Sequence, residues 1–252
     1  MQPLTTPVPL ATALHALGQL LARAGLDRLG VARVGDFNAA MEPRWRLPDL
    51  GSPAHAVIVI GHGRGVWAPF RAAFAASPAL QADPHPFDRW TAARISEGVA
   101  AAFPADLPRD LRHVWEAPPR MVAMQALATH AGLGVRGPAG LVVDPRLGPW
   151  QAFRAALVVA LPAPSGARTP EPSGAPCGSC AAQPCVAAHA AALEATTPSP
   201  AGASACRPSP GPAWAHWLAV RDACPVGREA RYSEPQIRYH YAHDRWALRE
   251  EA

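Results

Sequence analysis

Apolar residues recur at helical spacing from Leu10 to Ala24, and Gly25 supplies a natural stop. Leu29 to Val34 reads as a strand. Ala56-Val-Ile-Val-Ile60 is β-branched and uniformly apolar, which predicts a second strand buried on both faces. That strand runs into Gly61-His62-Gly63-Arg64-Gly65 and a predicted helix over Val66 to Ala76. His85 to Trp90 leads into an amphipathic helix reaching Phe103, and a further helix is predicted over Arg120 to Ala131. Gly140 to Val143 is a predicted strand, Asp144 to Trp150 a turn, and Phe153 to Leu161 another strand. Helices and strands interleave, which is the order of an α/β chain.

The pattern changes at Pro162. From there to Pro212 the chain is dense in Pro, Gly, Ser and Ala, and it holds four of the five cysteines. Ala195 to Ala205 is low in complexity. Helical periodicity returns over Trp214 to Val220. A long C-terminal helix is predicted from Ser233, whose hydroxyl suits an N-cap, with Glu234 and Pro235 in the first turn. These shifts divide the chain into an α/β core over 1–162, a Cys/Pro-rich segment over 163–227 and a C-terminal helix over 228–252 that packs on the core.

Composition narrows the function classes. With 252 residues the chain can bury a full core. All 23 basic residues are arginine, and with the abundant Ala and Pro this has the look of a high-GC genome. The arginines are spread along the chain rather than clustered with aromatics, so the net charge of +4 does not predict a nucleic-acid partner. No apolar run approaches the ~18–20 residues of a membrane span; the longest, Ala155 to Pro162, is strand-sized. No basic n-region followed by an apolar run opens the chain, and a cytoplasmic location is expected.

In that setting, clustered cysteines point to metal or redox chemistry rather than to disulfides. Cys177-Gly-Ser-Cys180-Ala-Ala-Gln-Pro-Cys185, answered by Cys224-Pro225, is the kind of set that holds a [4Fe–4S] cluster, with three thiols on one loop and the fourth from afar. The proline turns the chain away after its ligand, because it fixes φ and has no N–H. Two other readings stand beside this one. Cys177 and Cys180 form a knuckle that Cys185, His189, Cys206 or Cys224 could complete around zinc. Cys185 and His189 are four apart and would share a helix face. Alternatively the thiols are free and the motif has lost its metal. Gly61 to Gly65 is not a dinucleotide fingerprint, since Val66 stands where the last glycine belongs, and it has no P-loop lysine; a tight strand-to-helix turn explains it.

Three blocks carry a family resemblance: Asp83-Pro-His-Pro-Phe-Asp-Arg-Trp90, Asp144-Pro-Arg-Leu-Gly-Pro-Trp-Gln-Ala-Phe-Arg154, and Arg221-Asp-Ala-Cys-Pro-Val-Gly-Arg-Glu-Ala-Arg-Tyr-Ser-Glu-Pro-Gln236. They resemble the CblC-type cobalamin-processing proteins (cyanocobalamin decyanase and dealkylase). They are also similar to bacterial ferredoxin-type proteins related to epoxyqueuosine reductase and the reductive dehalogenases. Arg-Tyr-Ser-Glu with the following Gln is the most specific block on the CblC side, and Cys-Gly-Ser-Cys with Cys-Pro-Val-Gly on the iron–sulfur side.

The resemblance implies a nitroreductase-like, CblC-like sheet of α/β (α+β) class flanked by helices, with a degenerate ferredoxin-like segment and a cavity for cobalamin or flavin. By block match, the arginines that hold the carboxylates of glutathione or another thiol cosubstrate fall on Arg146, Arg221 and Arg245. A guanidinium fork suits a carboxylate, although an ion pair within its own turn would equally account for Arg146. The fourth cysteine of the first half of the ferredoxin pattern falls on His189, and only Cys206 and Cys224 stand in the second half. One cluster on Cys177, Cys180, Cys185 and Cys224 is what the interleaved pattern leaves. CblC-type proteins bind the corrinoid without a protein histidine, so none of His62, His85 and His130 is assigned as a lower ligand. Related folds often form homodimers, but no stretch here has the regularity of a dimer seam. Two functions follow: an iron–sulfur redox protein delivering electrons to a bound corrinoid or flavin, with oxidoreductase activity of the corrinoid reductase or dealkylase kind, or a corrinoid chaperone of CblC type with a structural zinc or no metal.

Overall fold

The computed structural model describes residues 9–164, 176–195 and 213–249. In chain order its elements are α1 (Leu10–Ala22), β1 (Arg28–Arg33), α2 (Val34–Ala39), β2 (His55–His62), α3 (Trp67–Ala76), α4 (Pro78–Ala82) and α5 (Pro86–Ala102). There follow β3 (Arg109–His113), α6 (Met124–His130), β4 (Val135–Arg136), β5 (Val142–Val143), β6 (Ala152–Pro162), α7 (Pro184–Ala195), α8 (Ala213–Asp222) and α9 (Glu234–Ala242). One sheet runs β1-β2-β6-β3 with every neighbouring pair antiparallel, and β4 and β5 form a separate small hairpin. The class is therefore α+β, a helix-flanked antiparallel sheet.

The alternation along β2 and β6 builds two cores. Ala56, Ile58 and Ile60, with Leu157 and Val159, face one core with α1, α3 and α5. Val57 and Val59, with Ala156 and Val158, face a second with α2 and α6. Both strands are covered on both faces, as their unbroken apolar sequence requires, and each fully buried Ile or Leu stabilises the fold by roughly 1.5–3 kcal/mol. Leu10, Ala13, Leu17 and Leu21 place α1 against the first core at three- and four-residue spacing. Gly25 then takes a left-handed φ of 68° to end it. A smaller cluster of Trp150, Ala230, Tyr232 and Ile237 joins the C-terminal segment to the sheet.

Several elements depart from the sequence expectation. The helix expected from Arg120 starts only at Met124, because Arg120 is folded back, donating to Glu116 and to the Leu111 carbonyl. Gly140 is a turn residue at φ 79°, so the strand expected from there is confined to Val142–Val143. β3 was not expected; its sequence Arg-Asp-Leu-Arg-His is charged because it is an edge strand. α7 forms within the Pro/Ala-rich stretch, where apolar periodicity is weak. The C-terminal helix is short: His243 turns left-handed at φ 55°, and Arg245–Leu248 is a separate 3-10 turn. Ser233 occupies the N-cap position of α9, but its hydroxyl makes no capping bond.

Candidate functional site

Four of the five cysteines meet in one place. Cys177 and Cys180 lie on a turn closed by the Cys180 N–H on the Cys177 carbonyl at 3.4 Å. Cys185 sits in the first turn of α7, after Gln183 in a left-handed conformation at φ 37°. Cys224 follows α8, its N–H donating to the Arg221 carbonyl at 3.1 Å. All four thiols line a single cavity of about 30 Å³ whose other walls include Leu141, Val143, Pro149, Val220, Pro225 and Val226. None is in a disulfide. Burial first, and then the neighbouring thiols, push the Cys177 pKa up; burial does the same at Cys224 against the opposing Val226 N–H. His189 packs edge-on against Trp217 at 5.7 Å between ring centres rather than lining this cavity. Cys206 lies outside the described residues. Among the described residues no three His, Cys, Asp or Glu side chains are gathered closely enough for one metal ion.

The three arginines assigned by resemblance have different surroundings. Arg146 is exposed on the turn between β5 and β6, and its guanidinium forms no ion pair among the described residues. The acidic neighbour in that turn, Asp144, instead binds Arg28 at 2.5 Å and accepts the Arg146 and Leu147 N–H groups at 2.8 and 2.9 Å. Arg221 is half-buried and donates to the Pro149 and Gln151 carbonyls, the second at 3.2 Å. Arg245 spends its fork on the Asp83 and Gln81 carbonyls at 2.7 and 2.8 Å. Arg146 and Arg221 are thus tied to the same β5–β6 connection, whereas Arg245 is bonded to the link between α4 and α5.

A second constellation lies between the end of β2 and α9. The β2–β6 pairing shifts register between Ile60 and Gly61, so that Gly61 pairs with Phe153. Phe153 therefore turns into the second core, and Arg154 faces the first, paired with Asp88 with its guanidinium 5.0 Å from the rings of both Phe87 and Trp115. His62 reaches the same side. Its ring meets Phe87 edge-on at 5.4 Å and lies 6.3 Å from the rings of Tyr232 and His240. Tyr232, Gln236 and His240 recur every fourth residue, and Gln236 is wholly buried. The Nε2 atoms of His62 and His240, the Tyr232 hydroxyl and both amide atoms of Gln236 are buried without a hydrogen bond of standard geometry.

Burial, and then the positive charge of Arg154, push the His62 pKa down to about 3. Burial also drives His240 well below the usual imidazole value, followed by the influence of His62 and Arg154. Burial pushes Tyr232 up to about 12. All three groups are therefore neutral near pH 7, in a site bordered by two arginines. Tyr232 and Gln236 stand in the most specific matched block, but nothing in the block joins them to His240 or His62; the four-residue spacing of the three was the available signal.

This chain superimposes on the C. elegans B12-trafficking protein CblC, a human MMACHC homologue, with a TM-score of 0.64 and 18% identity over 95% of each chain. The fold is that of CblC. Epoxyqueuosine reductases from Bacillus subtilis and Streptococcus thermophilus overlap 70% and 68% of this chain, with 14% identity and TM-scores of 0.42 and 0.43. The chain spans about half the length of those two proteins. No protein-family model and no curated protein matches the sequence. On this CblC fold the thiol cavity and the polar constellation are neighbours in the chain: Pro149 lines the first, and Trp150 packs on Tyr232 of the second at 5.4 Å. Among the described residues no helix is long and apolar enough to cross a membrane.

Proposed function

We propose that this chain is a corrinoid-handling redox protein in which Cys177, Cys180, Cys185 and Cys224 hold a [4Fe–4S] cluster. The observation that carries the reading is the meeting in one apolar cavity of the three thiols of residues 177–185 with the distant Cys224. Four thiolates are the donor set of a cubane, and an apolar lining keeps water from the sulfurs. A single zinc ion would instead draw four sulfurs to about 2.3 Å from one point. Cys224-Pro225 opposite the Cys177–Cys185 set is what supports a cluster over zinc. When bound, the cluster supplies single electrons for corrinoid reduction.

The chain's own residues do the rest. Cys224, three residues after Arg221, ties the metal ligands to the arm that clamps the Pro149 and Gln151 carbonyls. The exposed Arg146 is available to the carboxylate of a thiol cosubstrate. That feature also supports a second reading, a thiol-dependent corrinoid chaperone in which the cysteines hold zinc or nothing.

Anaerobic purification with iron, acid-labile sulfide and zinc counted per chain, followed by titration with hydroxocobalamin, separates the two. Near-stoichiometric cubane iron and sulfide with saturable corrinoid binding is the expected result. Stoichiometric zinc or no metal, with corrinoid binding retained, would leave the chaperone reading in place of the redox one.

A further inference from the structure

We infer that the groove between α3 and the Arg245–Leu248 turn binds a medium-chain carboxylate, a small molecule with an anionic head on an apolar body. The groove has a volume of about 560 Å³, within the roughly 300–1,000 Å³ of small-molecule sites. It shares no lining residue with the thiol cavity, so it is independent of the metal and corrinoid readings. Ala68, Ala72 and Ala75 form its floor, at four- and three-residue spacing along one face of α3. At 1.5 Å per residue that stripe of methyls is about 10 Å long, the reach of a medium-length acyl chain. The buried side chains of Phe74 and Leu248 edge it.

Two guanidiniums supply the opposite chemistry. Arg71 donates its Nε–H to the Leu248 carbonyl at 3.4 Å, which leaves its terminal N–H groups uncommitted. Arg249 rests 5.0 Å from the exposed Trp246 ring, and its guanidinium makes no ion pair among the described residues. No carboxylate among the described residues lines the groove. Two uncompensated positive charges in one concavity select an anion, and a carboxylate is the acceptor that suits a guanidinium fork. The walls are held in place before a ligand arrives. Arg245 ties the turn to the end of α4 through the Asp83 and Gln81 carbonyls, at 2.7 and 2.8 Å. The Gln81 Nε2 donates in turn to the Phe74 and Ala75 carbonyls on α3, each at 3.1 Å. A pre-formed wall spares binding the cost of ordering it.

The test titrates octanoate into the full-length protein, with isotope-labelled alanine methyls read by nuclear magnetic resonance. Saturable shifts at Ala68, Ala72 and Ala75 are expected. Octanol, the same body without the charge, should bind roughly tenfold more weakly. Inorganic phosphate at the same concentration should leave these methyls unmoved. Arg71→Gln and Arg249→Gln should each weaken octanoate roughly tenfold; Arg249 is exposed, so its variant reports on binding even if Arg71→Gln loosens the turn. Ala72→Trp should fill the floor and abolish binding. Octanol binding as tightly as octanoate, or affinity unchanged in both arginine variants, overturns the anion site. Phosphate reproducing the shifts overturns the apolar half of the ligand and leaves a plain anion patch. Saturation at other alanines alone, or binding that survives Ala72→Trp, overturns the placement.

Discussion

Gly148 and Gly227 lie backbone against backbone. Both are left-handed, at φ 58° and 69°, and a Cβ added to either would overlap the main chain of the other's turn. This contact locks the turn presenting Arg146 to the turn that follows Cys224. Gly227→Ala is expected to lose about 3 kcal/mol, from left-handed strain of about 1–2 kcal/mol and overpacking of about 1–3 kcal/mol. Thermal denaturation checks the stability, and iron per chain should fall with it because the Cys224 turn is displaced.

If the four thiols share one centre, Cys177→Ser, Cys180→Ser, Cys185→Ser and Cys224→Ser should each abolish most of the iron and sulfide content. Cys206→Ser should leave both unchanged. Retention of a full complement in any of the four variants would break the shared-centre assignment.

Arg146 and Arg221 should separate by kind of effect. Arg146→Ala removes an exposed guanidinium that makes no ion pair among the described residues, so thermal stability stays within about 0.5 kcal/mol. On the thiol-dependent reading, KM for glutathione in corrinoid dealkylation should rise roughly tenfold or more, the loss of about 1.5–3 kcal/mol expected for a charged hydrogen bond. Arg221→Ala instead orphans the Pro149 and Gln151 carbonyls, and about 2–4 kcal/mol of stability should go with it.

Asp144 anchors the Arg146 turn. Its burial raises its pKa, but the Leu147 and Arg146 N–H groups and the Arg28 guanidinium outweigh that and hold it below the ordinary carboxylate value. Asp144→Asn leaves Arg28 nearly buried without its counter-charge, and a loss of about 3 kcal/mol is expected in urea denaturation.

Acid should destabilise the cofactor-free protein through His62 and His240. Their folded pKa values lie below the unfolded value of 6.5, at about 3 for His62. Below 6.5 the unfolded chain takes up protons that the folded one refuses, so the stabilisation is complete above 6.5 and declines as pH falls toward 3. The expected slope is about 1.4 kcal/mol per pH unit for each imidazole. Denaturant titrations across that window should show it, and His62→Gln should shallow it.

What could be read in advance follows from local chemistry. β2 was legible because a strand covered on both faces must be apolar at every position, and α1 because one buried face repeats with the helical period. The edge strand Arg109–His113 was not, since an edge has little apolar sequence to betray it. The Arg120 helix was cut short by ion pairs that periodicity does not encode. At the site, Cys177, Cys180, Cys185 and Cys224 could be named from spacing and a proline. The polar constellation could not, because Arg154 faces His62 only through the register shift beside Gly61.

Residue type and spacing thus mark the candidate thiols, and a glycine wherever backbones must touch, while the candidate arginines come from the matched blocks. Their meeting was decided in three dimensions. Cys224 comes to Cys177, and Tyr232 and His240 to His62, through burial and strand register acting between segments far apart in the chain. Those forces depend on which surfaces can be removed from water together, and no local stretch of sequence specifies that alone.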